Sequence, residues 1–84
     1  MKDMSVTVLL FASVAEKVGL RRLELPHLPG ETVGDVRDRL VCAYPAMAPF
    51  VPNLLYALDE EYVKPDALVT DGVTLALIPP VSGG

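Results

Sequence analysis

Side chains alternate between two faces over Ser5 to Phe11, with Val6, Val8 and Leu10 on one and Thr7, Leu9 and Phe11 on the other. Both sides are largely apolar, which predicts a central strand covered on at least one face. Ser13 followed by Glu16 is the spacing of a capping box, Val14 and Val18 share a helical face, and Gly19 suits a left-handed stop. A short helix is expected there. Leu20 to Leu25 alternates again, Leu23 and Leu25 inward and Arg22 and Glu24 outward, until Pro26 breaks the run. Turn chemistry follows in Pro26-His27-Leu28-Pro29-Gly30, and Thr32 with Asp35 repeats the capping pattern at the start of the longest helix. Its buried stripe is predicted to be Val33, Val36, Leu40, Ala43 and Tyr44, its outer face to carry the i, i+4 pair Asp35 and Arg39, and its end to fall at Pro45.

Beyond that helix the period is lost. Pro45 to Pro52, with Met47, Phe50 and Val51, reads as an irregular crossing packed on the core. Leu54 to Leu58 is a third strand, Asp59-Glu60-Glu61 a turn, Tyr62-Val63 a short return, Pro65 to Thr70 a connection and Asp71-Gly72 the last turn. Val73, Leu75 and Leu77 then alternate with Thr74, Ala76 and Ile78 as the final strand. Strand, short helix, strand, long helix and three more strands predict an α+β domain, one sheet with the long helix on one face.

The final strand runs directly into Pro79-Pro80-Val81-Ser82-Gly83-Gly84. Proline fixes φ and has no N–H, so this segment leaves the sheet extended. At roughly 3.3–3.6 Å per residue it reaches about 20 Å, far enough to enter a partner's active site. Two glycines remove every β-carbon near the terminal carboxylate, which is ionised at neutral pH and open to an activated phosphate. The expected division is a domain over 1–78 and an extended tail over 79–84. A frayed terminus is the bland alternative.

Composition narrows the function. Eighty-four residues make one domain with one small core. The apolar fraction is 51%, yet no uninterrupted apolar run approaches the ~20 residues of a membrane span, so part of the surplus is expected at a protein contact. A net charge of −4 without a basic run argues against nucleic acid and anionic membrane and suits a basic partner surface. The single cysteine, Cys42, and a start lacking signal-peptide features favour a cytoplasmic home. Cys42 is expected to be a buried or half-buried inert thiol rather than a persulfide carrier, and His27 a solvated loop residue without metal partners. The carboxylates of Asp59, Glu60 and Glu61 are expected in a solvated turn. Phe50 and Leu54 are assigned to the core; Ile78 and Val81, flanking the tail's root, to a partner interface.

Taken together, Phe11-Ala12 with Glu16 and Gly19, Leu25-Pro26 with Gly30 and Thr32-Val33, Leu40 with Tyr44-Pro45, Asp71-Gly72 and the ending Ile-Pro-Pro-Val-Ser-Gly-Gly resemble the ubiquitin-like β-grasp sulfur carriers. The resemblance spans nearly the whole chain and is strongest to the molybdopterin synthase small subunits, because thiamine-pathway carriers also end in Gly-Gly but usually lack the double proline. Asp59 departs from the family, where Asn often precedes the short strand. The resemblance implies a mixed sheet of about five strands, its first and last strands paired in parallel, packed on one long helix. It further implies that an adenylyltransferase similar to ubiquitin-activating enzymes uses ATP to adenylate Gly84, and that sulfur displaces AMP to give a thiocarboxylate. The large synthase subunit would then receive Pro79 to Gly84 in its active site, where sulfur passes to a cyclic pyranopterin. No cofactor or metal is expected on this chain, and the acid–base residues would belong to the partner. A carrier for thiamine, cysteine or transfer-RNA thiolation, and a ubiquitin-like modifier or adaptor, remain as alternatives.

Overall fold

The computed structural model describes residues 4–80. Strand β1 (Ser5–Leu10) leads into helix α1 (Ala12–Val18), strand β2 (Arg22–Pro26), helix α2 (Val33–Ala43), a 3₁₀ segment (Pro45–Asn53), and strands β3 (Leu55–Leu58), β4 (Glu61–Val63) and β5 (Thr74–Ile78). The five strands form one mixed sheet in the order β2-β1-β5-β3-β4. β1 and β5 run parallel, with Leu9 opposite Ala76 and Leu10 opposite Leu77; the β1–β2, β3–β5 and β3–β4 pairs are antiparallel. The last strand in sequence is therefore the middle strand of the sheet.

Because strand side chains alternate between faces, register decides what is buried. Val6, Val8 and Leu10 of β1 and Leu75 and Leu77 of β5 lie on one face. There they pack with Val33, Val36 and Leu40 of α2, Val14 of α1 and Met47 of the 3₁₀ segment in a single core. That core also holds Leu54, with Phe50 packed partly buried against it, as their sequence contexts predict. Parallel pairing of the first and last strands and one helix-covered face give the ubiquitin-like β-grasp arrangement.

Local sequence explains most boundaries. Thr32 caps α2: its hydroxyl accepts from the Asp35 N–H at 3.2 Å and the Asp35 carboxylate accepts from the Thr32 N–H at 3.0 Å. Gly19 ends α1 with φ +87° and donates its N–H to the Ala15 carbonyl. Gly72, at φ +85°, donates to the Ser5 carbonyl, and the Asp71 carboxylate accepts from the Ser5 N–H at 3.0 Å. The turn before β5 is thus tied to the start of β1.

Several expectations are corrected. Helix α1 starts at Ala12 with Phe11 as its N-cap and no side-chain cap, because the strand hands over to the helix so early that Ser13 already lies inside the first turn. Ala43 is exposed rather than buried, and Met47 of the 3₁₀ segment is fully buried beyond the end of α2. The Asp35–Arg39 pair does not form. Asp35 is engaged at the cap, and Arg39 instead grips Glu31 through Nε–Oε2 at 2.9 Å and Nη2–Oε1 at 2.6 Å. Bidentate geometry of this kind outcompetes a single exposed i, i+4 contact. The irregular crossing after Pro45 is an ordered 3₁₀ segment containing Pro49 and Pro52.

Candidate functional site

The candidate site is the root of the C-terminal tail, and β5 positions it. Backbone pairing on both sides holds this strand, with β1 along one edge and β3 along the other. Its C-terminal residue, Ile78, pairs with Leu55 of β3, is half-buried and points to the face opposite the core, whereas Leu77 beside it is fully buried. Pro79 is half-buried and Pro80 exposed; neither belongs to a strand. Val81, Ser82, Gly83 and Gly84, the other residues expected to thread into a partner, lie outside the described residues.

Among the described residues, no helix covers the sheet face that carries Ile78. Leu9, Ala76, Ala57 and Tyr62 follow one another across β1, β5, β3 and β4 in a single row of paired residues. With Phe11, Ile78, Asp59, Glu60 and Thr74 they line an open groove of about 690 Å³. Tyr62 is 68% exposed, Leu55 46% and Phe11 44%, a concentration of large apolar side chains that a domain leaves in water chiefly at contact surfaces. The alternation of β5 foreshadows Ala76 beside Ile78, but the sequence does not reveal the neighbours from β1, β3 and β4, because they depend on register between distant segments.

An acidic turn closes one end of this face. Asp59 and Glu60 form the two-residue β3–β4 loop with φ +48° and +71°, the two positive values of a type I′ hairpin turn. Asp59 is well suited to that conformation, and its carboxylate accepts from the Thr74 N–H at 2.9 Å. The departure from Asn thus leaves the hairpin intact.

Two side chains are placed differently from expectation. Cys42 is exposed, since the core stripe of α2 runs through Val33, Val36 and Leu40 and leaves position 42 facing water. His27 is half-buried, not a solvated loop residue: its Nε2 lies 3.0 Å from the Val69 carbonyl, so the neutral ring carries its proton on Nε2, and Nδ1 is buried without a partner. The contact crosses 42 residues, which local sequence does not signal. Behind the sheet, Arg37 Nη1 donates to the Tyr56 hydroxyl at 3.2 Å. That bond, against a desolvation cost and with help from Asp38, raises the guanidinium pKa above its ordinary value. Among the described residues, no group of three His, Cys, Asp or Glu side chains is placed to hold a metal, and no helix is long and apolar enough to cross a membrane.

A β-grasp sheet whose middle strand delivers a Pro-Pro tail defines a ubiquitin-like protein. The ThiS family model matches residues 8–84, and the chain belongs to the ThiS family. The molybdopterin synthase sulfur carrier subunit of Arabidopsis thaliana is 37% identical over 82 residues, covering 98% of this chain and 85% of the relative. Among solved structures, SAMP1 (small archaeal modifier protein 1) from Haloferax volcanii matches with a TM-score of 0.86 at 34% identity, covering 95% of this chain and 99% of that one. Subunit 1 or 2 in the protein–protein complex of Molybdopterin-converting factor from Helicobacter pylori shares the fold, with a TM-score of 0.69 at 18% identity over 96% of this chain and 100% of that one.

Proposed function

We propose that this chain is the sulfur carrier subunit of molybdopterin synthase and that Gly84 is the residue that carries sulfur. One observation carries the reading: the middle strand of a ThiS-family sheet ends at Ile78 and runs directly into Pro79-Pro80, and the family match continues through Gly84. The carboxylate of Gly84 attacks the α-phosphate of ATP on a partner adenylyltransferase, expelling pyrophosphate and forming an acyl-adenylate. A sulfur nucleophile supplied by a donor then attacks the acyl carbon and AMP leaves, giving the thiocarboxylate. A carboxylate is a poor acyl donor until its oxygen belongs to a good leaving group, which the mixed anhydride provides. In the large synthase subunit the thiocarboxylate sulfur attacks a side-chain carbon of the cyclic pyranopterin, whose bond to oxygen breaks as the carbon–sulfur bond forms; hydrolysis of the acyl–sulfur bond then returns Gly84 to a carboxylate, and a second thiocarboxylated chain supplies the second dithiolene sulfur.

This chain's own part is mechanical. β5 is held by two neighbouring strands, so the tail's root is fixed in space. The tail itself, Pro79 through Gly84, is slim enough to enter a partner's catalytic pocket, and Ile78 and Val81 dock beside it. In this reading the partner supplies the pterin pocket and the acid–base groups. The test is reconstitution: thiocarboxylated full-length chain mixed with the large subunit and the pyranopterin forms the dithiolene, and a chain lacking Gly84 does not. Dithiolene formation by the truncated chain overturns the proposal.

The likeness to small archaeal modifier protein 1 favours a second reading, a ubiquitin-like modifier joined through Gly84 to lysines. Mass spectrometry that finds this tail on lysines of cellular proteins supports it; a tail recovered only as carboxylate or thiocarboxylate rules it out.

A further inference from the structure

We propose that two copies of this chain join through the free edges of their β2 strands, in an antiparallel register centred on Leu23, to make one continuous sheet. The pairing is read from β2 and stands whether or not Gly84 carries sulfur.

β2 is an edge strand: β1 pairs with one side of it and, among the described residues, no strand pairs with the other. Backbone direction decides which groups that free side presents. The Leu10 N–H donates to the Arg21 carbonyl and the His27 N–H to the Met4 carbonyl, so Arg21 and His27 turn their backbone groups toward β1. These groups alternate along a strand, hence Leu23 and Leu25 also face β1, and Arg22, Glu24 and Pro26 face outward. Pro26 has no N–H, and its carbonyl already accepts from Arg39 Nη2 at 3.0 Å. The open stretch is therefore Arg22 to Glu24, where the N–H and carbonyl of both end residues are available. Unpaired edge groups of this kind are a template for a further strand.

Charge then selects the occupant and the register. Two-fold antiparallel pairing across this edge can centre on Arg22, Leu23 or Glu24. Centring on Arg22 or on Glu24 sets that residue opposite its own copy, like charge against like. Centring on Leu23 sets Arg22 opposite Glu24 of the other copy and Glu24 opposite its Arg22, so that both hydrogen-bonded positions are also opposite-charge pairs. The strand is thus complementary to itself. Within one chain Arg22 Nη2 lies 3.6 Å from Glu24 Oε2, both side chains mostly exposed, and a contact of that kind exchanges for the cross-strand pairs at little cost. Leu23, half-buried opposite Val8, meets Leu23 of the other copy on the helix side of the sheet. The other edge strand, β4, has Glu61 as its single charged residue and so no complement of its own.

β5 stands on the far side of β1 from the shared edge, so the pairing covers neither Ile78 nor Pro79. Because the two copies run in opposite directions, the joined form presents its two tail roots at opposite ends of the sheet.

The experiment is sedimentation equilibrium of the full-length chain over a concentration series reaching the millimolar range. It is run at physiological ionic strength, where repulsion between chains of net charge −4 is screened beyond about 8 Å. The wild-type chain forms a dimer. Arg22→Glu and Glu24→Arg each set like charges opposite one another at both positions and weaken the dimer by at least about tenfold. Mixing the two variants restores association to within about threefold of wild type, because an all-basic edge then meets an all-acidic one. Circular dichroism melts check that each variant is folded, and amide exchange by NMR gives a reading that needs no variant: in the wild-type dimer, exchange slows at the Arg22 and Glu24 N–H groups. A chain that stays monomeric throughout the series overturns the proposal. So does a dimer that both folded variants leave intact, a mixture that associates no better than either variant alone, or a dimer in which Arg22 and Glu24 exchange as they do in the monomer, since each would place the contact on another surface or remove it.

Discussion

Asp59 holds Thr74 by both of its backbone groups: the Asp59 carboxylate accepts from the Thr74 N–H at 2.9 Å, and the Asp59 N–H donates to the Thr74 carbonyl at 2.9 Å. Thr74 is the first residue of β5, so the β3–β4 hairpin is fastened to the strand that delivers the tail. Asp59→Ala removes an acceptor and a residue suited to positive φ, and is expected to cost about 1–2 kcal/mol in chemical denaturation. Asp59→Asn keeps the oxygen and is expected to stay within about 0.5 kcal/mol of the parent. Equal losses in the two variants would show that the bond contributes nothing.

Glu60 occupies the left-handed region at φ +71° with no glycine to relieve it. Glu60→Gly exchanges that strain for greater chain entropy in the unfolded state, and the net expectation is stabilisation by up to about 1 kcal/mol. A lower denaturation midpoint for Glu60→Gly would show that the turn is unstrained.

Tyr56 is 4% exposed, with its ring in the core and its hydroxyl accepting from Arg37. Tyr56→Phe keeps the ring and is expected to cost about 0.5–1.5 kcal/mol. The Arg37 pKa is raised by folding, so this contribution is complete below the unfolded value and is lost only as pH rises through the still higher folded value. Both values are strongly basic, and the Tyr56→Phe penalty is therefore the same in mildly acidic and mildly alkaline buffer. A penalty that changes between those buffers contradicts the assignment.

Cys42 faces water on α2, remote in sequence from the tail. It is expected to react with a thiol reagent in the native protein without a change in circular dichroism. Cys42→Ser is expected to leave sulfur transfer to the large subunit unchanged. Loss of transfer in that variant would place a sulfur relay on this cysteine.

The elements were legible where local rules act alone. The capping pair Thr32 and Asp35, the Gly19 stop and the alternation of β5 all specify themselves within a few residues. The resemblance carried the parallel β1–β5 pairing, which hydrophobic pattern merely permits. At the site, the sequence pointed to Ile78 but not to its neighbours Leu9, Ala57 and Tyr62, since these meet only through pairings across β1, β5, β3 and β4. The exposure of Cys42 and the His27 contact with Val69 were likewise out of reach, one set by the rotation of α2 over the sheet and the other by a long-range contact. Ser13 and Glu16 had the right spacing for a cap, but the preceding strand ends at Leu10 and the helix begins at Ala12, too early to leave Ser13 outside it.

The most direct test of the central claim is the intact mass of the chain after incubation with ATP, a sulfide source and a matching adenylyltransferase, measured for the full-length protein and for a form lacking Gly84. The expected result is a mass gain of one oxygen-to-sulfur exchange in the full-length protein and none in the truncated form. A gain in both forms, or in neither while a known carrier is converted by the same enzyme, would contradict Gly84 as the sulfur-bearing residue.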